Sequence, residues 1–193
     1  MKHIFYHLTA VMVVVVWGMT FISTKVLIVH GLSPQEIFLF RFLLAYVAVC
    51  PISSHSFFAR NLKDELCLAG GGVLGGSLFF FLQNMALGLT QASNVSFIIC
   101  TAPLLTAVLT VLSVRTEKVS RGFIYGSIVA LLGVGLLIFN GSFILRISPL
   151  GDLLTLLASL SWAFYSLVIR SLTRKYSPAF ITSIYNRLLL NIL

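Results

Sequence analysis

Charge is what this sequence has least of. Five acids and thirteen bases stand among 193 residues, so only 9% of the chain is charged; a water-soluble domain carries about a quarter. So few ionised groups cannot clothe a water-exposed surface. With 59% hydrophobic residues and a mean hydropathy of +1.04, the composition predicts a polytopic membrane protein. The acids also avoid the middle of every apolar run. Glu36, Asp64, Glu65, Glu117 and Asp152 all stand at run ends or in the breaks between runs. A carboxylate buried at the membrane midplane is thereby disfavoured as the carrier of a proton. The sequence has no GxxxxGK[ST] loop, and so no ATP-driven step of its own. Cys50, Cys67 and Cys100 are isolated, with no CxxC and no metal spacing, and read as small residues of apolar spans. His3 and His7 stand four apart but lack a third ligand, so they read as interfacial side chains; no metal or cofactor is expected. No small-x-small cleavage site follows the long apolar stretch from Leu8, which speaks against a signal peptide. The net charge of +8 is scattered over short hydrophilic breaks. That is a pattern of bilayer orientation, not of a nucleic-acid-binding face.

What the chain has in plenty is long apolar runs. They extend from Leu8 to Val29, Glu36 to Ser54, Leu66 to Leu89, Ala92 to Val114, Ser120 to Asn140 and Leu150 to Ile169, and a seventh starts near Pro178. Runs of about 20 residues, at ~1.5 Å rise per residue, cross a hydrocarbon core of about 30 Å. Lipid offers the backbone no hydrogen-bond partner, so each run must pair internally as a helix; the alternation of barrel strands is absent. The expected fold is an all-α integral membrane bundle with six to seven transmembrane helices. Bases gather in alternate breaks: Lys2; Arg60 and Lys63; Arg115, Lys118 and Arg121; Arg170, Arg174 and Lys175. The positive-inside rule then puts the N-terminus in the cytoplasm.

The chain repeats itself. SLSWAFYSLVIR at 159–170 aligns with VVVWGMTFISTK at 14–25, placing Trp162 and Arg170 each 145 positions after Trp17 and Lys25. Ser177-Pro178 follows Ser33-Pro34 at an offset of 144, and an arginine comes next in both copies, Arg41 and Arg187. Five spans lie within one offset. An odd number turns the second copy upside down, the plan of secondary transporters whose two halves rock around a midplane site. The expected division is 1–144 for the first five-helix unit and 145–193 for the start of a second, incomplete one.

These residues resemble the EamA family of the drug/metabolite transporter superfamily. The likeness runs through WGMTFISTK, SPQEIFLFRFLLA, ALGLTQASNVSFIICTAPLLTAVLTVL, EKVSRGFIYGSIVALLGVGLLI and SPLGDLLTLLASLSWAFYSLVIRSLTRKYSP, and so covers essentially the whole chain. It implies ten helices in two inverted five-helix units. A central cavity would move small metabolites such as amino acids across the inner membrane, often outward, with no chemistry on the solute. A complete pair would need about 290 residues, twice the repeat offset; the chain is thus expected to be a truncated form. It departs, too, from the small multidrug-resistance pumps of the superfamily, which use a membrane-buried glutamate. Two other readings remain: a non-transporting fragment that needs a partner polypeptide or a second copy, and, less well supported, an integral-membrane enzyme. No histidine, cysteine and acid converge by sequence to serve the latter.

Candidate solute-binding residues fall in three groups. Trp17, Thr20, Ser23 and Thr24 lie within about two helical turns, with Trp162, Tyr165 and Ser166 as counterparts in the second copy. Aromatic rings with polar edges suit a cavity for small amphiphilic solutes, although the same tryptophans could only pack helices and the hydroxyls only bond back to the preceding turn. Gln83, Asn84, Ser93, Asn94 and Ser96 flank the turn between the third and fourth spans, where amides bind solutes or are merely interfacial. Lys25 and Arg41 are the charges nearest the membrane interior; they suit an anionic solute, or else snorkel and pair at the surface. Stripes of small residues, Gly71, Gly72, Gly75 and Gly76 and then Gly122, Gly126 and Ala130, predict close helix packing. Pro103 predicts a kink in the fourth span.

Overall fold

Only local pairing satisfies a backbone in lipid, and the chain is built accordingly. The computed structural model describes residues 2–49, 61–113, 120–139, 148–177, 180, 181 and 184. These form six helices: α1 (Lys2–Val29), α2 (Pro34–Val49), α3 (Leu62–Leu89), α4 (Ala92–Ser113), α5 (Arg121–Phe139) and α6 (Pro149–Leu172), with no strand among the described residues. Four of them, Ile4–Val29, Leu62–Leu89, Ala92–Ser113 and Pro149–Leu172, are long and apolar enough to cross a membrane. The protein is a multi-pass helical membrane protein. Cys50, Arg60, Arg115, Glu117, Lys118, Arg146, Pro178, Arg187, most of the seventh run and the side chains of Lys2 and His3 lie outside the described residues.

Helices start where the sequence supplies caps. The Asn61 side chain accepts the Asp64 N–H at 2.8 Å, and Asp64 and Glu65 meet the positive end of α3, so that helix begins ahead of its apolar run. Pro149 opens α6 behind Ser148, whose N–H donates to the Asp152 carboxylate at 3.2 Å. Between α1 and α2 the chain turns at Gly31, at φ 100°, while Leu32 N–H donates to the Leu27 carbonyl and Gly31 N–H to that of Ile28. Glycine adopts that left-handed backbone without a side-chain clash.

Two helices are irregular, and both irregularities face α6. Over Gly72–Leu78, α3 widens into π-helical turns; α4 breaks at Cys100–Thr101, just before Pro103, into Ala92–Ile99 and Ala102–Ser113. Widened or broken turns loosen the local ladder and offer carbonyls to neighbours. Ser161 of α6 donates to the Leu74 carbonyl at 2.8 Å, and Ser159 to the Ile98 carbonyl at 3.3 Å. Close approach follows at Gly75, where any Cβ would overlap the Tyr165 ring.

Contacts at the ends fix helix directions. Lys25 of α1 reaches Leu87 and Thr90 at the close of α3, and Gly151 at the start of α6 packs against Thr90. At the other end Asp64 of α3 meets Lys175 and Tyr176, just beyond α6. Hence α1 and α3 run together, and α6 runs against both. Phe21, Phe79, Ala86, Leu87, Val95, Ile99 and Ala158 form the larger core; Leu68, Leu172, Phe180, Ile181 and Ile184 form a smaller one near Asp64.

Candidate functional site

The two tryptophans that repeat analysis pairs are in contact. Trp17 and Trp162 have ring centroids 5.8 Å apart with planes at 31°. Phe79 closes on Trp162 at 4.8 Å, and Tyr165 at 5.1 Å. Helices α1 and α6 are antiparallel, and the contact joins the middle of one to the middle of the other. Beside the pair lies a cavity of about 430 Å³ between α1, α4, α5 and α6, lined by Trp17, Phe21, Ser96, Ile99, Pro103, Ser127 and Trp162 among others. A wider cleft of about 750 Å³, bounded by Thr9, Met12, Val13, Trp17, Thr20 and Trp162, opens on the opposite flank of Trp17. Cavities of a few hundred Å³ with apolar walls and few polar groups are of the size that holds small organic molecules.

The hydroxyls near the tryptophans are turned inward to their own helices. Thr20 donates to the Trp17 carbonyl at 2.6 Å, Ser23 to Met19 at 3.0 Å, Ser96 to Ala92 at 2.7 Å and Ser166 to Trp162 at 2.8 Å. Thr24 is buried, at 2% exposure. The structure thus brings Trp17, Thr20 and Trp162 to one cleft, while Tyr165 packs on Trp162 and lines neither cavity.

The charged and amide candidates stand elsewhere. The Lys25 ammonium donates to the carbonyls of Leu87 at 2.7 Å and Thr90 at 2.8 Å, capping the negative end of α3. Asn94 donates to the Thr90 hydroxyl at 3.4 Å, and that hydroxyl donates to Asp152 at 3.5 Å, so Lys25, Asn94 and the start of α6 share one polar node. Ser93 donates to the Gln91 side chain at 3.5 Å. Arg41 stacks its guanidinium 5.2 Å over the Phe80 ring. Asn84 and Gln83 are buried in α3, and neither amide has a hydrogen-bond partner among the described residues.

Several participants were not singled out from the sequence. Phe79, Phe80 and Phe21 form the aromatic wall with the tryptophans, and the FFF run at 79–81 was the only signal for the first two. Thr90 is the hub of the node at the end of α3. Asp64 binds Lys175 at 2.7 Å and accepts the Tyr176 hydroxyl at 2.9 Å across 111 and 112 positions of chain, which no local pattern marks.

The family that the sequence resembles is also the one that matches: the model of the EamA-like transporter family covers residues 4–139. The chain belongs to the EamA-like transporter family. An uncharacterized transporter of Archaeoglobus fulgidus is 28% identical over 169 residues, which are 86% of this chain and 58% of that protein. The chain therefore spans little more than half the length of this curated relative. No solved structure matches it. The family's members are membrane transporters of the drug/metabolite type, not enzymes.

Proposed function

We propose that the chain forms part of a secondary transporter that exports small amphiphilic metabolites, amino acids or related compounds, across the inner membrane by alternating access. The N-terminus lies in the cytoplasm and the units divide near residue 144. One observation carries the reading: Trp17 and Trp162, equivalent in the repeat, touch on antiparallel helices beside a cavity of about 430 Å³. Two near-equal halves meeting at a midplane site can exchange inward-open and outward-open forms. The aromatic faces hold an apolar body by stacking, and Tyr165 supports Trp162 from behind. Thr20 lines the cleft beside Trp17 and Thr24 is buried on the same helix; Lys25 and Asn94 hold the helix ends that bound the site, while Arg41 and Asn84 stand apart from it between α2 and α3. Lys63, Arg174 and Lys175 share the end at which α1 begins, which supports the cytoplasmic N-terminus. An inverted pair of such units is completed within one longer chain, by a partner polypeptide or by a second copy.

The test is transport of labelled leucine and phenylalanine by the chain in proteoliposomes, alone and joined to the relative's unmatched segment. Trp17→Ala or Trp162→Ala should cut the rate by about tenfold, ~1.4 kcal/mol of lost solute binding. Trp→Phe should keep most of it. Undiminished transport in both alanine variants sinks the tryptophan site.

A further inference from the structure

Five buried side-chain atoms among the described residues have no hydrogen-bond partner: Arg41 Nη1, Gln83 Nε2 and Oε1, and Asn84 Nδ2 and Oδ1. They fall in one layer of the bundle. Helix α2 runs against α3 in a register set by Pro34 packing over Gly88, Gln35 donating to Met85 Sδ at 3.4 Å, and Phe38 facing Phe81 at 6.4 Å. Arg41, next along α2, meets Phe80. Helical side chains lean toward the N-terminus, so the Arg41 side chain points back to the level of the following turn of α3. That turn carries Gln83 and Asn84, three and four residues after Phe80 and straddling its direction. Gln83 is 0% and Asn84 1% exposed.

A guanidinium withdrawn from water needs a counter-charge or a full set of acceptors. Arg41 has the face of Phe80, and no carboxylate among the described residues bonds it. Glu36, its nearest acid along α2, is instead held by the N–H and hydroxyl of Ser33, each at 2.8 Å. Positive charge beside two amide NH2 groups is a donor set for an anion. A cation would meet repulsion from Arg41, and water would leave the charge uncompensated. We propose that this layer is a binding site for a small monovalent anion, held by Arg41 Nη1 and the amide N–H groups of Gln83 and Asn84. The anion is either a free halide or the carboxylate of a solute. Phe79 and Phe80 separate the layer from Trp162, so the site stands or falls apart from the tryptophan reading.

The experiment uses the chain in lipid nanodiscs at constant ionic strength with gluconate as the replaced anion. Thermal unfolding is followed while chloride, N-acetylleucine or its neutral amide is added. Chloride or N-acetylleucine, but not the amide, should raise the midpoint saturably. Chloride identifies a free ion, and N-acetylleucine alone a solute carboxylate. Arg41→Gln should weaken the response about tenfold or abolish it, while Arg41→Lys keeps part of it. Asn84→Leu and Gln83→Leu should also abolish it, yet leave the anion-free midpoint equal or higher, because an unpartnered buried amide is removed. Three results overturn the proposal: coincident chloride, N-acetylleucine and gluconate titrations, an unchanged response in Arg41→Gln, or leucine variants that keep the response or lower the anion-free midpoint.

Discussion

The two ends of the bundle are tied in different ways. Where α1 finishes, a lysine caps main-chain carbonyls: Lys25 is half-buried and binds Leu87 and Thr90, with Thr90 passing the network on to Asn94 and Asp152. Where α1 begins, the tie is an ion pair near water, with the Lys175 side chain 56% exposed and the Asp64 side chain 9%. The first tie caps two carbonyls at the close of α3 with a half-buried ammonium, so losing it removes a charged donor away from bulk water. The second gains one attraction that solvent already screens. Position relative to water, more than the count of hydrogen bonds, decides which end resists opening.

Four variants sharpen this contrast. The largest effect belongs between the two ends, at Gly75→Ala: its Cβ overlaps the Tyr165 ring, and forcing α3 from α6 should cost about 3 kcal/mol, read as a lowered unfolding midpoint in detergent. Replacing Tyr165 by leucine in the same chain should recover part of that loss. Lys25→Met comes next, at about 2 kcal/mol, because the α3 carbonyls lose a charged donor. A change no greater than that of an exposed lysine would show that the capping contact is incidental. Ser161→Ala should cost about 1 kcal/mol by removing the donor to the widened turn at Leu74. Smallest is Lys175→Ala, whose signature is pH dependence rather than size. The hydrogen bond to Asp64 holds the Lys175 ammonium above its ordinary value of 10.5, against a lesser opposing effect of burial. A raised folded value means the contribution is whole below the free lysine's value and fades as pH climbs through the higher one. Stability should therefore fall more steeply at strongly alkaline pH in the parent than in Lys175→Ala. Parallel curves would mean that the pair adds nothing.

Much of the helical architecture was legible because hydropathy and helix length obey one constraint. The runs at Leu66–Leu89 and Ala92–Val114 reappear as α3 and α4, and Pro103 stands just past a break in α4, as expected. Helix starts were less legible: α1 begins at Lys2, and α3 at Leu62, where the Asn61 cap extends the helix past its apolar stretch. At the candidate site, the pairing of Trp17 with Trp162 could be read from the 145-residue offset, and their contact is found in the structure. The place of Lys25 could not. Its partners, 62 and 65 positions away, are main-chain carbonyls and carry no residue signature. The widened turns of α3 were equally hidden; glycines at 71, 72, 75 and 76 spoke for close packing but not for the carbonyl that Ser161 takes.

By itself, then, the sequence determined that this is a helical, lipid-embedded chain of several apolar spans. Hydrocarbon leaves a backbone no partner but itself, so composition alone suffices for that. Tertiary structure decided which polar side chains are satisfied: Lys25 is, and Arg41, Gln83 and Asn84 are not fully. Those outcomes depend on the register of helices against one another, and register is set by bulges, kinks and ring contacts between residues far apart in the chain.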